Sequence, residues 1–445
     1  MIESIKTGIM RLRLGLSVTT VMIMVIITGC SPTVEKGDDN AAKRDIPIVQ
    51  GVTPRWRYAE AASELNYKKS MVAKMDRFWS DFEKAKPIFD NFSKQSDKTI
   101  AFMQTQLSRV HPELTWEVNG IRPDLYLSIG SEGDKTLWPL IDTMIERAPR
   151  LSGWRFVRHK DPVDLADVVE MFSVRLDRAM PSLSVKCTAN NRNSIDLDFV
   201  SPHFRGTDRE LDLQTAFMLT EIALGDEETD KWVGDIHSKQ GAIPNLKRTE
   251  VVKLFVNDFV HEKRRVLDSL PTKPLFELTP PETTYVVSFE EPIKKVGKGR
   301  LTLVTWSPSF GHALEDLNSF FSERLSKHNE RFCYLQLENA SHIAEPTDRK
   351  ELEREIDTAL RSQKVGSVVG NGAGLVLRHP PAVAYIDLSL RDVDRGVSVL
   401  RKICAKHALS HQSWLRFYDA DWQNEWIGMF ADTPAPPRPE VWEFE

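Results

Sequence analysis

Apolar residues fall at helical spacing along much of the first half of the chain. Met71, Met75, Phe78 and Phe82 recur at i, i+4, i+7 and i+11 and predict one helix face. Pro87 is expected to break or kink that helix. Ile100, Met103, Leu107 and Val110 make a second stripe that ends at His111-Pro112. Leu114 to Val118 and Leu125 to Ile129 partly alternate apolar and polar residues, which predicts two strands. Leu137 to Ala148 carries Leu140, Ile141, Met144 and Ile145 and reads as a helix closed by Pro149. Trp154 to Val157 reads as a strand, and Asp161-Pro162 as an N-cap with proline at the first helical position. Leu183–Cys187 and Ile195–Val200 are expected to pair around an Asn190 to Asn193 turn. Helices are expected over 209–224, stopped by Gly225, and over 249–270.

After a proline-rich stretch the pattern changes to longer strands. These are expected at Thr284–Phe289, Leu301–Trp306, Phe332–Leu337, Val383–Leu388, Trp414–Tyr418 and Glu425–Phe430, with helices near 312–327, 347–362 and 392–408. Interspersed helices and hairpin-linked strands predict an α+β class: two α/β-sandwich domains, each a mostly antiparallel sheet with packed helices. The expected organisation is a leader (1–29), a flexible tether (30–66), an N-terminal domain (67–270), a linker (271–282), a C-terminal domain (283–430) and a Pro-rich tail (431–445).

The leader pattern carries the sharpest signal. Lys6, Arg11 and Arg13 precede a short apolar run over residues 14–27, followed by Thr28, Gly29 and Cys30. This is the order of a secretory signal, and the run is shorter than the ~20 residues that span a bilayer. Ile27-Thr28-Gly29-Cys30 resembles the lipobox of bacterial lipoproteins. That resemblance implies cleavage before Cys30, diacylglycerol on its thiol and a chain held in the cell envelope by its lipid. Ser31, rather than Asp, follows the cysteine, which by the same resemblance favours the outer membrane, facing the periplasm. Two or three acyl chains anchor stably where one is marginal.

Composition narrows the remainder. The chain has 445 residues, 28% of them charged, and a formal net charge of −5, so broad nucleic-acid binding is not expected. Beyond Cys30 there are three widely spaced cysteines, Cys187, Cys333 and Cys404. Their spacing gives neither a disulfide framework nor a zinc site, although one pair could form in an oxidising envelope.

Two stretches also have the look of known but uncharacterised bacterial domains. Phe78-Trp79, His111-Pro112-Glu113-Leu114, Trp116-Glu117, Gly133-Asp134 and Gly153-Trp154-Arg155-Phe156 form the first. Tyr385-Ile386-Asp387-Leu388, Trp414-Leu415 and Phe417 to Trp422 with Glu425 to Gly428 form the second. Each resembles a domain of unknown function, which implies a fold and no activity.

Candidate chemistry concentrates at Asp419-Ala420-Asp421-Trp422-Gln423-Asn424-Glu425-Trp426. Three carboxylates so close could hold a hard cation, but the glycine of an EF-hand loop is missing. The plainer reading is a tight turn whose Asp and Asn side chains bond backbone N–H groups while tryptophans cover the core. Trp414, Trp422 and Trp426 are the candidate lining of a shallow peptide or sugar face. Gly366 to Gly374 lacks the strand–glycine–helix context of a phosphate-binding loop and is expected to be a flexible loop. His407 and His411 are four apart without the intervening Glu of a zinc protease helix. Lys247, Arg248, Lys253 and His261 to Arg265 form a basic helix edge, expected to be solvated. No cofactor is implied. The leading expectation is a lipid-anchored, non-enzymatic binding protein with a protein or glycan partner. The alternative is an envelope hydrolase working through Asp419, Asp421 and Glu425.

Overall fold

The structure, a computed structural model, describes residues 54–90, 96–121, 124–131, 133–204, 209–281, 284–293, 300–338, 346–376 and 379–436. The leader, Cys30 and most of the expected tether lie outside the described residues. The chain is α+β and divides into two compact units, one of residues 59–160 and one of 55–58 with 161 onward.

The first unit runs α1 (Ala62–Phe89), α2 (Ser96–Val110), β1 (Thr115–Ile121), β2 (Asp124–Gly130), α3 (Trp138–Glu146) and β3 (Trp154–Val157). The Met71/Met75/Phe78/Phe82 stripe is buried as its spacing predicts. Helix α1 continues through Pro87 to Phe89, and the Asp90 N–H closes it on Lys86 and Ile88 carbonyls. It begins at Ala62, inside the expected tether. β1 and β2 form a hairpin, and β3 returns through α3 to lie parallel beside β2.

The second unit opens with α4 (Val168–Leu176), β4 (Ser184–Ala189), β5 (Ile195–Ser201), α5 (Arg209–Leu224), α6 (Asp226–Trp232), β6 (Val233–Gln240) and α7 (Arg248–Ser269). The helix expected to begin at Asp161-Pro162 starts instead at Val168, with Asp167 at its N-cap. β4 and β5 pair as predicted, and β6, which alternates too weakly in sequence to be read as a strand, adds parallel to β5. Both small sheets are therefore a hairpin plus a helix-linked parallel strand, because a parallel neighbour needs a crossover connection. Asp258 and Glu262, one turn apart on α7, accept the Cys187 and Ala189 N–H groups of edge strand β4 at 2.8 and 3.0 Å. These carboxylates cover that edge against further pairing.

The large sheet is built from β7 (Tyr285–Ile293), β8 (Arg300–Thr305), β9 (Arg331–Glu338), β10 (Gly366–Val376), β11 (His379–Leu390), β12 (Ser413–Phe417) and β13 (Trp426–Gly428). Its order is β13-β12-β9-β11-β10-β8-β7, antiparallel throughout. Short helix α8 (Pro308–Ala313) precedes β9, while α9 (Pro346–Ser362) and α10 (Val393–Lys406) pack on one face. Leu335, Ile386, Leu388 and Leu415 meet Leu352, Ile356, Leu400 and Ile403 there. Phe310, Leu314, Phe320 and Leu325 cover the other face over Phe332, Tyr334, Tyr385 and Tyr418.

Three expectations for this region are corrected. The 312–327 segment is α8 followed by short 3-10 turns rather than one helix. Gly366 to Gly374 is not a loop but part of β10, an interior strand. A Cβ at Gly370 would meet the Val304 carbonyl at 2.7 Å and the Asp387 carboxylate at 3.0 Å, so the strand approaches its neighbours as only glycine allows. The proline-rich 271–282 stretch is not a free linker. Leu275 and Phe276 are buried, the Leu275 N–H donates to Glu330 at 2.8 Å, and Arg361 donates to the carbonyls of Leu275, Phe276 and Leu278. The units accordingly part after Lys160, not at residue 270. Residues 161–270 belong with the large sheet: Asn193 donates to the Arg324 carbonyl and Lys231 pairs with Glu323.

Candidate functional site

Strand β12 ends at Phe417, and the chain turns back to β13 through a 3-10 turn at Ala420–Trp422. Trp422 N–H donates to the Asp419 carbonyl and Glu425 N–H to the Trp422 carbonyl, at 2.9 and 2.8 Å. The turn reading is the geometry found. Each carboxylate points a different way.

Asp419 is fully buried. It accepts from the Ser322 N–H at 2.8 Å, from the Ser322 hydroxyl and from Arg331 Nη1 at 2.9 Å. The Ser322 hydroxyl in turn accepts the Phe332 N–H at 2.8 Å. Asp419 thus ties the turn to the segment entering β9.

Glu425 is also buried, at 2% exposure. Its Oε1 accepts the Trp56 and Arg57 N–H groups at 2.8 Å each, and its Oε2 the Tyr58 N–H at 2.9 Å. Arg55 donates to the Trp426 carbonyl at 2.9 Å and lies 3.5 Å over the Trp426 ring. Arg57 lies 4.8 Å from the Trp422 ring centroid, as does Arg331. The Tyr58 ring stacks on Phe417 at 5.8 Å. Burial, with the Asp394 and Glu425 charges, pushes the Tyr58 phenol up to about 12, so it stays neutral. Four residues of the expected tether, Arg55 to Tyr58, are therefore a strap held on the second unit. The sequence cue was present in the alternation Arg-Trp-Arg-Tyr, which a polar tether does not need.

Asp421 behaves differently. Its Oδ1 is sealed from solvent without a hydrogen-bond partner, as is the Trp422 indole N–H. Burial and then the Asp419 charge push its carboxyl up to about 6, against the pull of Arg331 and Arg57. A carboxyl raised in the folded state supports stability most below its unfolded pKa of 3.8 and loses that support as the pH rises through about 6. Asp421→Asn is therefore expected to stabilise the protein by ~1–3 kcal/mol at pH 7.5 and by far less at pH 4.5. Urea unfolding at the two pH values measures this, and a pH-independent difference would show the assignment wrong.

The tryptophans do not form an open platform. Trp414 is 1% exposed and donates its Nε1 to the Pro434 carbonyl at 2.6 Å, which fastens the start of the Pro-rich tail. Trp422 packs between Phe417 and Tyr58 on the helix-covered side. Only Trp426 and Trp422 share a site, and both carry an arginine. Among the described residues no three of His, Cys, Asp and Glu converge as a metal site, and no helix is long and apolar enough to cross a membrane. His407 and His411 separate, pairing with Glu355 and Asp432. Cys187, Cys333 and Cys404 are buried free thiols, and burial pushes the Cys404 thiol up to about 12. The basic edge of α7 is partly neutralised, with Lys263 on Glu228 and Arg265 on Glu262.

The fold and site describe a sheet protein with a carboxylate-pinned turn that holds an arginine–aromatic strap. No protein-family model, curated protein or solved structure matches the chain.

Proposed function

We propose that this is a lipid-anchored cell-envelope protein, attached through Cys30 and serving a binding role rather than a catalytic one. One observation carries the binding part. Asp419 and Glu425, the carboxylates best placed in sequence for chemistry, direct their oxygens to Ser322, Arg331 and three backbone N–H groups. Carboxylates committed in this way position chain segments, each already accepting three hydrogen bonds. The leader pattern supports the anchor and an outer-membrane, periplasm-facing location. The hydrolase alternative retains Asp421, whose carboxyl near 6 suits a general acid.

The test uses the full chain expressed with its leader. Wild type is expected in the membrane pellet with a lipid-modified N-terminus, and Cys30→Ser in the soluble fraction. An unmodified pellet form of Cys30→Ser would overturn the anchor. The purified lipidated protein then serves as bait in detergent-solubilised envelope. A retained protein or glycan supports the binding role. Hydrolysis of an envelope polymer that is lost in Asp421→Asn would replace it.

A further inference from the structure

We infer that Glu425, Trp422 and Trp426 form a docking site for short, bent peptide segments of alternating arginine and aromatic residues, with Arg55 to Tyr58 as a resident, displaceable occupant. This rests on the binding role proposed above and gives its partner a chemical class.

The recognition is that of a ligand rather than of a strand. The strap takes no place in the sheet: its three successive N–H groups converge on one side-chain carboxylate, not on a neighbouring strand's carbonyls. That carboxylate lies 367 to 369 positions away in sequence.

The site specifies its ligand at three levels. A buried carboxylate accepting three consecutive N–H groups requires a backbone bent around it, as at Trp56 to Tyr58, without proline at those positions. Trp426 and Trp422 each present a ring face to a guanidinium two residues apart, Arg55 at 3.5 Å and Arg57 at 4.8 Å. A planar cation is preferred at such a face, so lysine is the weaker choice. Phe417 stacks the terminal aromatic, with the two rings 5° from parallel. The pattern is Arg-aromatic-Arg-aromatic.

A resident strap competes at high effective concentration with any peptide added in solution. Binding in trans is therefore masked in wild type and uncovered when the strap is altered. The experiment uses the full chain and a fluorescent, end-blocked peptide of residues Pro54 to Glu60. A variant carrying Arg55→Ser, Trp56→Ser, Arg57→Ser and Tyr58→Ser is expected to bind the peptide at least tenfold more tightly than wild type. Adding Glu425→Gln to that variant is expected to weaken binding at least tenfold. A folded quadruple variant that ignores the peptide, or binds it equally with Glu425→Gln, overturns the inference.

Hydrogen exchange on wild type guards against a variant that does not fold. The amides of Trp56, Arg57 and Tyr58 are expected to exchange at least tenfold faster than those of Leu335 and Ile386 in the central strands. Exchange at the same rate would make the strap an inseparable part of the core and overturn the inference. Peptide binding can fail while the envelope pull-down succeeds, so this inference and the binding role fall separately.

Discussion

Asp419→Ala is expected to lower the stability of the second unit by ~2–4 kcal/mol. The substitution leaves the buried Ser322 N–H without its acceptor and removes the partner of Arg331. It also frees the Ser322 hydroxyl, which orients the start of β9 through the Phe332 N–H. Arg331 itself is 37% exposed at its side chain, so water can take over part of its charge. The N–H and hydroxyl losses therefore dominate, and Arg331→Met is expected to cost clearly less than Asp419→Ala. Denaturant unfolding followed by tryptophan fluorescence measures both. Equal losses in the two variants would mean that the ion pair, not the turn bonds, holds this corner.

The second large effect is expected at Glu425. Glu425→Ala removes the acceptor of three N–H groups and the anchor of the strap, a loss of ~2–4 kcal/mol. The loss stays within that range because a released strap regains water and backbone freedom, which offsets part of each lost bond. The more direct readout is local. Arg55 is buried and the Arg57 backbone N–H is tied to Glu425, and tryptic cleavage after both is expected to quicken at least tenfold in Glu425→Ala while cuts within the large sheet remain slow. Unchanged cleavage after Arg55 and Arg57 would mean that the Trp426 and Trp422 stacking, rather than Glu425, retains the strap.

These two residues also show where reading the sequence stops. The turn itself was legible: Asp419 to Glu425 is dense in residues that bond their own backbone, and it forms a turn. Its partners were not. Ser322 is 97 positions from Asp419, and Trp56 is 369 from Glu425. Asp419 and Asp421 are close enough in sequence to suggest one cation site, yet Asp419 turns to Ser322 and Arg331. Trp414 sits apart from Trp422 because it is three positions from Phe417 on β12 and so faces the other side of the sheet from the ring that Trp422 packs on. Gly366 to Gly374 reads as a loop by local propensity, and only the crowding of Val304 and Asp387 around Gly370 explains why glycine is needed inside a strand.

By itself the sequence determined the α+β class, most helices and strands and the burial of the Met71 to Phe82 stripe. Those follow from period, turn chemistry and short motifs, which act over a few residues and are written locally. The tertiary structure alone decided that the units part after Lys160, that the proline-rich 271–282 stretch is fastened by Arg361 and Glu330, and that Arg55 to Tyr58 is a strap on Glu425. A buried carboxylate must be satisfied by whichever donors the folded chain brings to it, and that choice is made by packing across hundreds of residues.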